Sequence, residues 1–209
     1  MTETNQFSID LEDIGSKKIF STTSEIENYQ KTIDKMVETQ LKINEVKALG
    51  ISKTNDILAF QIQNHKMFGG VAIKNRLLKQ LDYIGNIELQ LVHGDFQPAN
   101  IYKKSGRQYV VDWTNASAGS PLTDAAKTYM LFKLSNNRYA NYFLKTYAQK
   151  AEVNKADILA WTPIIAASML VDGRSTKKEQ KILFSEIDDF VSKKKRWNAT
   201  LFILQLKSM

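Results

Sequence analysis

Hydrophobic residues recur at helical spacing through the first part of the chain. Between residues 26 and 49 an apolar side chain returns every three or four positions, as on the buried face of an α-helix. Ser24-Glu25-Ile26-Glu27 has the capping-box pattern of a helix start, and Gly50 is typical of a helix end. The pattern therefore predicts a long amphipathic helix here, a second helix over 52–67 and a third that reaches Ile84.

The second half of the chain has the same helical periodicity. Four further helices are predicted from it, over 125–134, 139–151, 158–171 and 176–193. The helix over 158–171 is nearly all apolar, so we expect it in the centre of the fold, with a bend at Pro163.

Between these helical regions the pattern changes to strict alternation. Apolar and polar residues alternate from Ile87 to Leu91, and Val92 follows, which predicts a short strand. Two more strands, at 101–103 and 108–111, are separated by a turn of four residues and predict a β-hairpin. The fold class predicted is thus mainly α with a small β-hairpin, and that hairpin should bring Asp112 back beside Asn100.

Polar side chains follow these strands at a characteristic spacing. His93, Asp95 and Asn100 form the pattern His-x-Asp-x-x-x-x-Asn, and Asp112 follows the hairpin. Each of them alone is also typical of a turn or a helix cap. Together they suit phosphoryl transfer: Asp95 can accept a proton from a substrate hydroxyl, while Asn100 and Asp112 can hold Mg²⁺ against the phosphates of ATP. We expect His93 to orient the loop through hydrogen bonds and not to take the proton.

The stretch His93–Ile101 closely resembles the catalytic loop of the aminoglycoside phosphotransferase-like (choline kinase-like) small-molecule kinases. Val111–Ala126 looks like the metal-binding strand and following helix of the same family, and 161–167 is similar to a later helix. The resemblance extends over residues 25–190 and is most specific from 92 to 130.

The resemblance implies a phosphotransferase that moves the γ-phosphate of ATP to a hydroxyl of a small molecule. The resemblance implies that Asp95 would be the catalytic base of this chain, and that Asn100 and Asp112 would be its Mg²⁺ ligands. Asp124 would be structural, tying its helix back to the catalytic loop. Ser120-Pro121 supports a helix start just before it, because Ser is a favoured N-cap and Pro a favoured first residue.

The family also has an N-terminal lobe, with a loop and a Lys that grip the phosphates of ATP, and this chain departs from that pattern. We expect only the C-terminal, helical lobe of a protein-kinase-like fold. Residues 1–22 would be a linker-like segment and 23–209 the lobe, with catalytic loop 92–101 and metal-binding strand 108–113. Val71-Ala72-Ile73-Lys74 spells the ATP-gripping strand of protein kinases, but it lies too close to the catalytic loop and continues as a helix.

Composition narrows the function further. The chain has 209 residues and no Cys, which excludes disulfides and thiolate metal sites. It has no apolar run long enough for a membrane span and no signal-peptide pattern, so we predict a cytoplasmic protein without a membrane partner. The net charge of +7 suits an anionic ligand such as ATP better than a polycationic aminoglycoside. Nucleic-acid binding rests on charge alone and is the weakest hypothesis.

The missing nucleotide lobe leaves a second hypothesis open. The chain would then be a truncated or inactive kinase-like lobe that acts as a binding or interaction protein. Apolar surface that the lobe normally covers would be exposed and could drive formation of a homodimer. Mg²⁺-dependent binding of ATP distinguishes the enzyme from the inactive lobe.

Overall fold

A computed structural model describes residues 18–19, 28–64, 70–85, 89–105 and 107–207, with side chains described up to residue 192. Helices dominate this part of the chain, and the predicted mainly α fold with a small hairpin is confirmed. The helices are α1 (Tyr29–Asn44), α2 (Thr54–Asn64), α3 (Val71–Ile84), α4 (Pro121–Ser135), α5 (Asn137–Lys150), α6 (Lys155–Leu159), α7 (Thr162–Val171) and α8 (Lys177–Lys207). The strands are β1 (Gln90–Val92), β2 (Ile101–Lys104), β3 (Arg107–Val110) and β4 (Ser117–Gly119).

Helix α7 lies at the centre of the core, as its apolar sequence predicted. Every residue from Trp161 to Leu170 is buried, against neighbours in α2, α3, α4 and α8. The single helix predicted over 158–171 is wrong, because α6 and α7 are separate helices joined by a short turn. Pro163 lies in the first turn of α7, where its missing N–H group breaks no helical hydrogen bond.

Helix α1 ends earlier than the apolar pattern predicted. It stops at Asn44, and Val46 and Leu49 are 50% and 88% exposed although they were expected on the buried stripe. The chain leaves the helix because its backbone pairs with β1, where Leu91 N donates to Val46 O at 2.7 Å. The predicted helix start at Ser24 lies outside the described residues.

Two small antiparallel strand pairs surround the polar loop. β2 and β3 form the predicted hairpin, with Ile101 opposite Val110. β1 pairs with β4, with Leu91 opposite Ala118, a pairing that the sequence did not predict. Ser, Ala and Gly make up β4, and none of them has the branched or aromatic side chain that is typical of strands.

The described part of the N-terminal segment is attached to the hairpin. Ile19 is fully buried, and its N–H donates to Ile101 O at 3.0 Å, while Lys18 forms an isolated bridge with Tyr102. The rest of the predicted linker 1–22 lies outside the described residues. This contact positions the strand that follows the catalytic loop.

The longest helix, α8, has 31 residues. Leu183 and Ile187 are buried on the side that packs against α7. Side chains after residue 192, including the apolar tail 197–206, lie outside the described part. Within that part, no helix combines the length and apolar character that a membrane crossing requires.

Candidate active site

The predicted catalytic loop follows β1. It leaves the strand at Val92 and enters one turn of 3-10 helix at Pro98–Asn100. Asp95 lies between them and is only 4% exposed. Its Oδ2 atom accepts hydrogen bonds from Gln97 Nε2 at 2.9 Å and from Asn100 Nδ2 at 3.1 Å. Both groups donate to the same oxygen, so they fix the orientation of the carboxylate. The other oxygen, Oδ1, accepts neither of these bonds.

Asn100 is held with its amide oxygen turned away from Asp95. Its Nδ2 group donates to the backbone oxygen of Asp95 at 2.9 Å as well as to the carboxylate. Both of these partners are acceptors, so only the NH₂ end of the amide can face them. The free end is therefore a carbonyl oxygen, which is a suitable ligand for a hard cation.

The segment after the hairpin is fixed beside Asn100 through the backbone. Val111 N donates to Asn100 O at 3.0 Å, which continues the β2–β3 pairing beyond the end of the hairpin. The predicted metal-binding strand 108–113 is in fact shorter, because β3 ends at Val110. Asp112 therefore lies two residues beyond the strand and not on it.

Asp112 has an exposed side chain and a left-handed backbone, with φ 63° and ψ 61°. This conformation is uncommon outside glycine, although Asp tolerates it better than most residues. Its Oδ1 atom accepts a hydrogen bond from Thr114 Oγ1 at 2.6 Å. The structure thus brings Asp95 and Asn100 into direct contact, and it places Asp112 near them through the backbone and not through a side-chain hydrogen bond.

His93 connects the loop to the Asp112 segment and is fully buried. Its Nδ1 atom accepts from Asp95 N at 3.2 Å, so Nε2 carries the hydrogen and donates to Val111 O at 3.0 Å. The imidazole ring also lies 4.6 Å from the ring of Trp113. Both ring nitrogens are engaged with the backbone, which supports the predicted orienting role.

Asp124 holds the start of the loop from α4. Its Oδ2 atom accepts from His93 N at 3.1 Å and its Oδ1 atom from Gly94 N at 2.9 Å. Burial raises the pKa of the Asp124 carboxyl above its usual range, although these two N–H donors favour the charged form. Ser120 caps α4 as predicted, because its Oγ atom accepts from Leu122 N at 3.2 Å. The first turn of the helix, which carries Asp124, is therefore held in place. These are the contacts that the predicted structural role requires.

Gly94 is the position where the loop passes closest to the segment after Asp112. Its φ is +75°, and a Cβ atom there would lie 2.3 Å from the backbone oxygen of Asn115. Both the backbone conformation and the lack of space therefore require glycine at this position.

Three supporting residues were not singled out from the sequence. Gln97 binds the Asp95 carboxylate, as described above. Thr128 donates to Phe96 O at 2.7 Å and accepts from Gln40 Nε2 at 3.2 Å, so α1 and α4 both hold the loop. A signal was present for two of them: Thr128 lies one turn after Asp124, and Gln40 interrupts the apolar stripe of α1.

A cavity of about 200 Å³ begins at Asp95. Its wall is formed by α4, the end of α7, the segment after it and the start of α8, and its polar lining residues are Asp95, Gln97, Lys127, Asp172, Arg174, Ser175 and Glu179. A second cavity of about 220 Å³ shares Lys127 and Asp172 with it and reaches Gly94 and Thr114. No substrate-binding residue in either cavity was predicted from the sequence.

The residues present fit a magnesium ion. Among the described residues no group of three or more His, Cys, Asp or Glu side chains could hold a metal. A cation would therefore depend on the amide oxygen of Asn100 and the exposed carboxylate of Asp112. Mg²⁺ suits such a sparse set, because it is commonly held by one or two carboxylates and keeps several waters or phosphate oxygens.

Two solved structures with a similar fold are an aminoglycoside phosphotransferase and a choline kinase. The apo form of a thermostable mutant of aminoglycoside phosphotransferase APH(4)-Ia has a TM-score of 0.59 at 18% identity, covering 85% of this chain and 69% of that chain. Choline kinase LicA from Streptococcus pneumoniae has a TM-score of 0.60 at 15% identity, with 79% and 65% covered. The chain thus spans about two thirds of the length of these proteins, and at these identities the likeness shows a common fold.

Sequence comparison gives a family directly. No curated protein matches the chain. The model of the phosphotransferase enzyme family (APH) matches residues 51–161, which include the catalytic loop, Asp112 and Asp124. This match covers more than half of the 209 residues, and the chain therefore belongs to the phosphotransferase enzyme family.

Proposed function

We propose that this protein is a phosphotransferase that transfers the γ-phosphate of ATP to a hydroxyl of a small molecule. The observation that carries the proposal is the state of Asp95: a buried carboxylate, held by Gln97 and Asn100, that lines a cavity of about 200 Å³. A hydroxyl compound in that cavity would meet a fixed proton acceptor.

Asp95 is the catalytic base in this proposal. It orients the attacking hydroxyl and accepts its proton as the oxygen attacks phosphorus. The two bonds on Oδ2 hold the carboxylate in place before the substrate arrives, so little reorganisation is needed during the reaction. His93 acts through the backbone, by fixing the loop on which Asp95 lies.

Asn100 and Asp112 are the proposed ligands of Mg²⁺. When it is bound, the ion neutralises the charge of the nucleotide phosphates. The exposed carboxylate of Asp112 can exchange water for a cation without unfolding its surroundings, and Thr114 restricts its orientation. Asp124 does not contact the reactants and is proposed to hold the loop.

The nucleotide and substrate classes have support from solved relatives. APH(4)-Ia has been crystallised with ADP and hygromycin B, and LicA with AMP. We propose that residues 23–209 correspond to the C-terminal lobe of such a kinase, with 1–22 as the segment that leads into it. The share of each solved relative that the chain covers, 69% and 65%, agrees with one lobe of a larger kinase.

Exposed apolar side chains favour a second candidate function. A kinase-like lobe could bind a small molecule or a protein without transferring phosphate. In that case exposed apolar side chains such as Phe60 and Val71, 67% and 74% exposed, would be candidates for the contact of a homodimer.

Thermal unfolding with increasing Mg-ATP tests the first proposal. We expect Mg²⁺-dependent stabilisation of the wild-type protein, of about 2.7 kcal/mol at a ligand concentration one hundred times Kd. Asp112→Asn should lose the Mg²⁺-dependent part, and Asp82→Ala, an exposed carboxylate on α3, should keep it. Asp95→Asn should still bind the nucleotide but lose transfer by about 10²–10⁴-fold. A wild-type protein without any Mg²⁺-dependent stabilisation would support the second candidate.

A further inference from the structure

The cavity beside Asp95 contains four charged side chains besides the proposed base. Lys127 comes from α4, Asp172 and Arg174 from the segment after α7, and Glu179 from the first turn of α8. Two cations and two carboxylates would cancel if all four were equally available to a ligand. Their hydrogen bonds show that they are not.

The Glu179 carboxylate is hydrogen-bonded within the first turn of its own helix. Its Oε2 atom accepts from Thr176 N and from Thr176 Oγ1, both at 2.7 Å, and Glu179 N donates to Thr176 Oγ1 at 3.3 Å. This is a capping box at the start of α8. The Thr176 hydrogen bonds lower the pKa of Glu179, as expected for a carboxylate that interacts with a helix N-terminus.

The remaining carboxylate, Asp172, is shared by both cations. Its Oδ2 atom lies 4.0 Å from Lys127 Nζ and 3.6 Å from the Arg174 guanidinium. A close charge-assisted hydrogen bond is about 2.7–2.9 Å long, so neither cation is tightly paired. Besides Asp95, the cavity therefore presents two positive charges that loosely share one carboxylate.

Lys127 is the more important of the two cations. Its side chain is 13% exposed, against 69% for Arg174. A charge that has lost most of its water and has no close partner gains the most from an anionic ligand, whereas an exposed one is screened by solvent. Lys127 also lies on the wall between the two cavities, so it can reach a ligand in either.

The volume limits the size of the ligand. Sites for drug-sized molecules have about 300–1,000 Å³, whereas this cavity has about 200 Å³. Leu131, Leu134 and Met169 form the apolar part of the wall and leave room for a short carbon chain. A molecule as large as an aminoglycoside is disfavoured by this size.

We propose that the substrate is a small hydroxyl compound that carries a carboxylate or a phosphate, and that Lys127 positions this anionic group while the hydroxyl faces Asp95. The inference rests on the proposed function, because the hydroxyl end is assigned through Asp95 as the base. Lys127 is a positioning residue in this scheme, and Arg174 strengthens binding at the mouth of the cavity.

Hydroxyl compounds of two or three carbons and different charge test the inference on the full chain without nucleotide. Glycerate and glycerol 3-phosphate should bind saturably and raise Tm, whereas glycerol and 2-aminoethanol should not. Lys127→Met should weaken binding of both anions by at least about tenfold, as expected for one charge-assisted hydrogen bond. Lys127→Arg should retain most of it, and Arg174→Gln should weaken it less. Lys145→Met, at an exposed position on α5 away from both cavities, should bind the anions like the wild type.

Several results would overturn the inference. They are equal stabilisation by glycerol and glycerate, a preference for 2-aminoethanol, no binding of either anion to the wild type, or unchanged anion binding in Lys127→Met. Mg-ATP titration of the same proteins separates this inference from the proposed function. Asp112-dependent Mg-ATP binding with no charge preference among the probes rejects the inference alone. Lys127-dependent anion binding without Mg-ATP binding rejects the phosphotransferase and leaves an anion site.

Discussion

Two carboxylates twelve positions apart, Asp112 and Asp124, are held in opposite ways. Asp124 is 1% exposed, and its two oxygens accept backbone N–H groups from His93 and Gly94. Asp112 is exposed and accepts one hydroxyl hydrogen, from Thr114. A carboxylate with both oxygens bound to the backbone can hold a loop, and one that faces solvent can exchange water for a cation. The loop is thus fixed from its buried side, so that the exposed side is left for ligands.

The largest expected effect is the difference in stability between the variants that lack one or the other carboxylate. Asp124→Ala leaves one buried and one partly buried N–H group without acceptors, and we expect a loss of about 2–5 kcal/mol in the free energy of unfolding. Asp112→Ala should change it by less than about 1 kcal/mol, because the side chain is exposed. Urea unfolding of the two variants measures both values. Equal losses would show that the two residues are not divided into a structural and a ligand-binding role.

The close approach at Gly94 sharpens the same comparison, because it joins the buried loop to the segment after Asp112. Gly94→Ala adds a Cβ atom 2.3 Å from Asn115 O at a φ of +75°, so strain and overlap should together cost about 2–4 kcal/mol.

Gly50→Ala is the matched control for Gly94→Ala. Gly50 has a φ of +76° but no atom within 4 Å of the added Cβ, so only the backbone strain remains, about 1–2 kcal/mol. Chemical denaturation of both variants gives the difference. If both lost the same stability, the approach of the two segments would not limit the loop.

The elements that could be predicted from the sequence depend on short-range patterns. The spacing of His93, Asp95 and Asn100, the β2–β3 hairpin and the Ser120 cap are all set by residues within about twenty positions of one another. The hairpin needed only a short turn between two short strands, so the position of Asn100 beside Val111 followed from the chain itself.

The features that the sequence did not predict depend on contacts between distant segments. Helix α1 ends at Asn44 because Val46 pairs with Leu91, and no local signal marks that position. The bonds from Gln40 to Thr128 and the charges around Lys127 join residues that only the packing of helices brings together. A polar residue in an apolar stripe, as at Gln40, is the one local sign of such a contact.

The pH dependence of stability should also distinguish the buried carboxylate. Burial raises the pKa of Asp124 in the folded protein above its ordinary value of 3.8. Its contribution to stability is therefore complete below pH 3.8 and declines as the pH rises through the raised pKa. The free energy of unfolding of the wild type minus that of Asp124→Asn should fall with rising pH, by at most about 1.4 kcal/mol per pH unit. Denaturant titrations at several pH values measure it, and an increase with pH would contradict the dominance of burial.

The smallest effect, with the opposite sign, is expected at a carboxylate on the surface. Lys150 Nζ donates to Glu38 Oε1 at 2.7 Å, and this hydrogen bond lowers the pKa of Glu38 below its ordinary value of 4.5. The contribution of Glu38 is thus present above pH 4.5 and is lost as the pH falls through the lowered pKa. Because Glu38 is 54% exposed, solvent screens the pair, and Glu38→Gln should cost less than about 1 kcal/mol at neutral pH.

The loss of stability in Glu38→Gln should shrink further in high salt, since exposed charges are screened there, whereas the loss in Asp124→Ala should not. Equal sensitivity of both variants to salt would mean that Asp124 is reached by solvent, and it would remove the distinction between a carboxylate that holds the loop and one that merely lies on the surface.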